Sequence, residues 1–121
     1  MNSYRRLSVW HRSVDLALEI YRLTETFPRE ERYGLVTQLR KAVVSIPSNI
    51  AEGQGRGSPG ECRQFTGQAR GSLFEVDAQL EVAIRLKLIS ADEGKALSRE
   101  VEEISRMLTA LMNAMRDKRR N

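Results

Sequence analysis

Cysteine, histidine and proline are scarce in this 121-residue chain, with one, one and three copies respectively. The lone cysteine, Cys62, cannot form a disulfide within the chain, so nothing here calls for an oxidising compartment and a cytoplasmic location is expected. The lone histidine, His11, has no nearby cysteine or second histidine. It therefore belongs to no evident metal site and no Cys-His or Ser-His pair, and it reads as an exposed side chain. No catalytic residue, metal or cofactor is expected, and the chain does not read as an enzyme. Apolar runs of the roughly 20 residues needed to cross a bilayer are also missing, and Met1 to Trp10 carries Arg5 and Arg6 without an apolar stretch behind them, so neither membrane insertion nor export is expected. With 40% hydrophobic and 30% charged residues the chain has the means to fold, and its length suits one domain over residues 1–121 ending in a basic tail, 116–121.

Acid is absent from the first twelve residues, which hold Arg5, Arg6 and Arg12 and so carry +3. Residues 116–120 hold Arg116, Lys118, Arg119 and Arg120 against Asp117, another +3, while residues 13–115 sum to −2. The basicity is terminal, on a mildly acidic body. Such ends are an electrostatic footprint for an anionic partner, and they would serve equally to keep a small protein in solution.

Four segments have helical periodicity. In the last, Leu97, Val101, Ile104, Leu108, Leu111 and Met115 form one apolar seam behind a Ser90-Ala91-Asp92-Glu93 capping box. The third opens on Ser58-Pro59-Gly60-Glu61 and continues through Ala69, Leu73, Val76, Leu80 and Ala83. The second is expected from about Arg32 to Gly53, with Leu35, Leu39, Ala42, Ile46 and Ile50 inward, and the first from near Ser8 to Phe27-Pro28. Helices of this length joined by short loops predict an all-α, antiparallel up-down-up-down four-helix bundle, which would bring both basic termini to one end.

The first helix has two apolar stripes, Trp10, Val14, Ala17 and Tyr21, and Leu16, Ile20, Leu23 and Phe27. One stripe is left for a second copy of the chain, unless both merge into one wide core-facing surface. The second helix adds a polar stripe, Ser45, Ser48, Asn49 and Glu52, and the third adds Gln68, Ser72, Glu75 and Gln79. These predict either a hydrogen-bonded network between neighbouring helices or two solvated faces. Pro47, inside the second helix, should free the Val43 carbonyl and kink the helix, with the Ser45 and Ser48 hydroxyls available to freed backbone groups. Gly55-Arg56-Gly57-Ser58-Pro59-Gly60 matches G-x-G-x-x-G by letters but follows a helix instead of a strand, so it reads as a connection, with a left-handed helix end at Gly53 and a lesser reading of Arg56 as a phosphate contact.

The segment Ser45-Ile46-Pro47-Ser48-Asn49-Ile50-Ala51-Glu52-Gly53 resembles the signature of the 23S ribosomal RNA intervening-sequence proteins, also called four helix bundle proteins. Val9-Trp10, Phe27-Pro28, Tyr33-Gly34-Leu35, Gln38-Leu39-Arg40-Lys41-Ala42, Phe65, Ala69, Gly71-Ser72 and Glu75 agree with it, and the similarity spans roughly residues 7–90. The resemblance implies a bundle assembled as a homopentameric ring. It also implies similarity to the accessory variability protein of diversity-generating retroelements, hence association with RNA or DNA and with a protein partner such as a reverse transcriptase. It supplies no catalytic residues, and Ser45, Pro47, Ser48, Asn49, Glu52, Gly53, Ser72 and Glu75 are expected to be structural. The expected function is nucleic-acid binding, RNA foremost, through Arg5, Arg6, Arg12, Arg116, Lys118, Arg119 and Arg120, by phosphate contacts of low sequence specificity. The alternative is an adaptor that docks on an enzyme without binding nucleic acid itself.

Overall fold

The structure is a computed structural model that describes residues 3–120, with side chains described as far as Met115. Four α-helices follow one another: α1 (Ser8–Thr24), α2 (Leu35–Gly55), α3 (Pro59–Arg85) and α4 (Ala91–Arg120). Short 3-10 turns at Tyr4–Arg6 and Arg29–Glu31 precede α1 and α2, and no strand occurs among the described residues. No helix among them is long and apolar enough to cross a membrane.

Local chemistry fixes the helix ends. Ser90 Oγ accepts from the Glu93 amide at 3.1 Å and the Glu93 carboxylate accepts from the Ser90 amide at 3.0 Å, the reciprocal capping box expected for α4. At α3 only half of that arrangement forms. Ser58 Oγ accepts from the Glu61 amide, while the Glu61 carboxylate takes the Ser58 hydroxyl instead of its amide. The start of α2 falls at Leu35 and not at Arg32, because residues 29–31 close a 3-10 turn and Gly34 lies outside the helical region. The Glu31 carboxylate then accepts from the Leu35 amide.

Between α3 and α4 the Leu88 amide bonds the Ala83 carbonyl and the Lys87 amide bonds that of Ile84, with Lys87 at φ 63°. That is a Schellman ending with lysine at the position where glycine is usual. The expected left-handed end at Gly53 does not occur. Helix α2 runs on to Gly55, no glycine among the described residues has a positive φ, and Gly53 is buried inside the helix.

The core gathers the expected seams. Leu39, Val43, Ile46 and Ile50 of α2 pack with Ala69, Leu73 and Val76 of α3 and with Ile104 and Leu108 of α4, all fully buried. From α1, Leu16 and Ile20 enter the same cluster. The hydroxyls of Ser13, Thr24 and Thr66 are buried too, and each donates to a carbonyl of its own helix at 2.7–2.8 Å, so none costs an unpaired polar group.

The two stripes of α1 merge only in part. Leu16, Ile20 and Phe27 face inward, Ala17 of the other stripe is buried with them and Trp10 packs against the same core, whereas Val14 is half-buried and Tyr21 remains 42% exposed. Leu18 beside them, Val44 on α2 and Phe74 and Val82 on α3 are similarly open, which leaves a discontinuous apolar outer surface.

Candidate nucleic-acid interface

Leu7, Gly53 and Gln54 in the last turn of α2, Arg56, Gly57 and Ser58 of the α2–α3 connection, and Leu111, Ala114 and Met115 of α4 line one shallow groove. The start of α1, the join between α2 and α3 and the last described side chains of α4 therefore meet at one end of the molecule. Arg5 and Arg6 project from the turn that leads into this end, and both are exposed. The backbone of α4 continues from Met115 to Arg120. The side chains of Arg116, Lys118, Arg119 and Arg120 lie outside the described residues.

Arg5 is held by its surroundings. Its guanidinium stands 5.4 Å from the centroids of both Tyr4 and Trp10, and its carbonyl lies 2.6 Å from Nε2 of His11. The Tyr4 and Trp10 rings are themselves 4.9 Å apart. Aromatic faces attract a guanidinium and orient its plane without neutralising it, so Arg5 keeps its full charge. Arg6 has no ion pair among the described residues.

Arg12 is arranged differently from the other two. Two turns further along the chain, it donates Nε to one Glu100 oxygen at 3.0 Å and Nη2 to the other at 2.8 Å. This two-pronged pair ties α1 to α4. The hydrogen bond to Glu100 holds the guanidinium above the ordinary arginine range, against the opposing effect of partial desolvation. Because the shift is upward, the pair's stabilising share is complete below the ordinary arginine pKa and is lost only in strong alkali. Arg12 thus offers a phosphate no uncompensated charge.

Two further arginines occupy this end, and charge counted by chain terminus overlooks them. Arg56, after the last residue of α2, pairs with Glu52 at 2.8 Å and Glu61 at 3.9 Å and lies 4.9 Å from the Phe65 ring centroid. Its charge is compensated, which weighs against the phosphate role. Arg63, in the second turn of α3, has no ion pair among the described residues, and its Nε is buried without a hydrogen-bond partner. The signal for Arg63 was its position just beyond the Ser58 cap, at the end of α3 that shares the groove with Leu7.

The polar stripes of α2 and α3 touch at a single point. The Ser45 hydroxyl lies 2.5 Å from that of Ser72 and 2.8 Å from the Ala42 carbonyl. Asn49 donates to the Ser45 carbonyl at 2.8 Å within its own helix, Glu52 turns to Arg56, and Ser48 and Glu75 are exposed. Gln79 Oε1 is buried without a partner. Ser45 therefore bonds the Ala42 carbonyl and not that of Val43, the one Pro47 frees.

A double-mutant cycle of Ser45→Ala and Ser72→Ala checks this contact. Each single change should cost about 1 kcal/mol, with a coupling of about 0.5 kcal/mol in urea unfolding. Strict additivity would remove the contact from the account.

Gly53, the last residue of the signature, has a clear task. A Cβ placed there would lie 3.1 Å from the Cys62 carbonyl oxygen and 3.1 Å from the Phe65 Cβ. Glycine lets α2 come this close to the backbone of α3 without either helix shifting, just above the basic end. Nearby, the Gln54 side-chain amide reaches Cys62 Sγ at 3.3 Å.

A crystal structure of a protein of unknown function from the S23 ribosomal protein family of Bacteroides thetaiotaomicron has the same fold. It superposes with a TM-score of 0.80 at 22% identity, over 87% of this chain and 95% of that one. No curated protein matches. The family model described as 23S rRNA-intervening sequence protein matches residues 5–110, taking in the Ser45–Gly53 segment, the Gly53 contact and the first turns around Arg5 and Arg6. By that match the chain belongs to the family of 23S rRNA-intervening sequence proteins.

Proposed function

We propose that this protein binds nucleic acid, RNA in particular, without catalysing a reaction, through the end of the molecule that carries Arg5, Arg6 and the basic residues after Met115. The observation that carries the proposal is the groove that joins Leu7 to Leu111, Ala114 and Met115. It sets the exposed Arg5 and Arg6 beside the point where the helix continues into Arg116, Lys118, Arg119 and Arg120. Arg63 adds to the same end. Contacts of this kind are to phosphates, which give affinity and positioning with little sequence preference. The family's name supplies the RNA in the proposal and nothing finer.

The proposed architecture is an up-down-up-down bundle of antiparallel helices. It is supported by the pairings Arg12–Glu100, Arg40–Thr24, Ser45–Ser72 and Arg70–Thr109. The proposed assembly is a homo-oligomeric ring, a pentamer by family resemblance, built in the cytoplasm through the outer apolar residues Leu18, Tyr21, Phe74 and Val82. A ring would repeat each basic end once per subunit around one face. Sedimentation should give five times the mass of one chain.

An experiment separates the arginines. Arg5→Ala with Arg6→Ala should weaken binding of a structured RNA about tenfold at about 0.1 M salt, whereas Arg12→Ala should leave it within about twofold, because Arg12 is already spent on Glu100. Equal losses from both changes would contradict this reading of the site.

A further inference from the structure

The seam between α1 and α4 is the thinnest of those joining the four helices. Arg12 and Glu100 bridge it at one place, and beyond that bridge the two helices leave an open channel of about 520 Å³. Its floor is apolar, made by Leu16 and Leu23 of α1 and Ala96 and Leu97 of α4. Leu16 and Leu23 are seven residues apart, two turns of helix, or roughly 10 Å. That is the repeat at which a third helix would present apolar side chains to a groove.

The rim has a definite sign. Asp15 and Glu19 stand on the α1 side and Glu93 and Glu100 on the α4 side. Arg12 answers Glu100, and Arg22, just outside, answers Glu19. Asp15 and Glu93 have no ion pair among the described residues, so acids outnumber cations around the channel. A nucleic acid is repelled there.

A second copy of this chain is a poor occupant as well. At this groove its open apolar residues on α3, Phe74 and Val82, would bring Glu75, Asp77 and Glu81 against Asp15, Glu19 and Glu93. The terminal basic residues follow Met112 and Met115, whose apolar side chains are already buried in the chain's own fold.

We infer that the channel between α1 and α4 is a docking groove for a basic amphipathic helix of a partner protein. The partner's leucine-like side chains fill the floor over Leu16, Leu23 and Leu97, and its lysines or arginines flank them against Asp15, Glu19 and Glu93. The groove lies toward the middle of α1 and is distinct from the basic end. The protein can therefore hold nucleic acid and a basic protein segment at once, which is the arrangement of an adaptor.

The test uses the full chain and a fluorescein-labelled amphipathic peptide of leucine and lysine of about 18 residues, or five helical turns, with a leucine–glutamate peptide of the same pattern as its opposite. The leucine–lysine peptide should bind with rising anisotropy at micromolar protein and about 0.1 M salt, and the leucine–glutamate peptide should not. Asp15→Lys with Glu19→Lys should weaken the first peptide at least about tenfold. Glu75→Lys with Glu81→Lys, the same change of charge made on α3, should leave it within about twofold. Ala96→Trp, which fills the channel from an exposed position, should also weaken it about tenfold, with helicity by circular dichroism unchanged in every variant. Failure of the leucine–lysine peptide to bind, or equal weakening by the two lysine pairs, overturns the proposal. The first result would leave the groove without this occupant, and the second would reduce the binding to general charge attraction.

Discussion

Replacing Gly53 with valine is expected to lower the stability of the protein by about 3 kcal/mol and its melting temperature by about 10 °C. At an ordinary helix position a side chain in place of glycine helps, since glycine costs about 1 kcal/mol relative to alanine. At Gly53 the sign is reversed, because the new Cβ meets a backbone carbonyl, that of Cys62, and the Phe65 Cβ, both at 3.1 Å. Neither can swing aside as the tip of a long side chain would. The γ-methyls of valine therefore have to push α2 and α3 apart where Ile50 and Ala69 are fully buried. Alanine should fall between valine and glycine, its helix preference offsetting only part of the two tight contacts. Gly55 is the control. It ends the same helix with nothing within 4 Å of its would-be Cβ, so Gly55→Ala should be neutral or slightly stabilising. Thermal unfolding of the three variants checks the claim, and a Gly53→Val protein as stable as Gly55→Ala would mean that the helices are not in close contact there.

Removing residues 116–121 should lower RNA affinity about 100-fold at about 0.1 M salt while leaving the fold intact. The fold should survive because the buried side chains of α4, from Val101 through Ile104 and Leu108 to Met112 and Met115, all precede the cut. The loss should be large because the segment carries four cationic side chains against one acid. Each phosphate contact contributes to a counterion-release term that multiplies along the interface. Adding Arg5→Ala and Arg6→Ala to the truncation should bring binding to background. A truncated protein with undiminished affinity would move the site away from this end.

Much of the fold was legible because it rests on spacing. The α4 seam and the Ser90 box are local patterns; the box appears as read, and the seam does so through Val101, Ile104, Leu108 and Met115, with Leu97 and Leu111 half-buried and Met112 buried beside them. What escaped depends on neighbours distant in sequence. Gly53 looks like a helix terminator when only its own segment is considered, and the closeness of Cys62 and Phe65 appears only once α3 folds back. The α3–α4 ending has no glycine to announce it, since Lys87 takes the left-handed position itself.

The candidate site was legible to the same degree. Arg5 and Arg6 could be read from the run of basic residues, but the Tyr4 and Trp10 rings that flank Arg5 come together only when the 3-10 turn folds onto α1. Arg12 belonged to the same run by sequence, yet Glu100, 88 residues away, claims it. Arg63 was missed because charge was counted along the chain, whereas an anionic partner meets charge by position on the folded surface.

The central claim is that the basic end binds nucleic acid through phosphates. The measurement that meets it most directly is the affinity of the intact protein for a structured RNA and a matched DNA duplex across a salt series. Binding is expected at about 0.1 M salt, with the logarithm of the affinity falling steeply and linearly with the logarithm of salt concentration, and tighter for the RNA than for the duplex. No binding of either at about 0.1 M salt would contradict it.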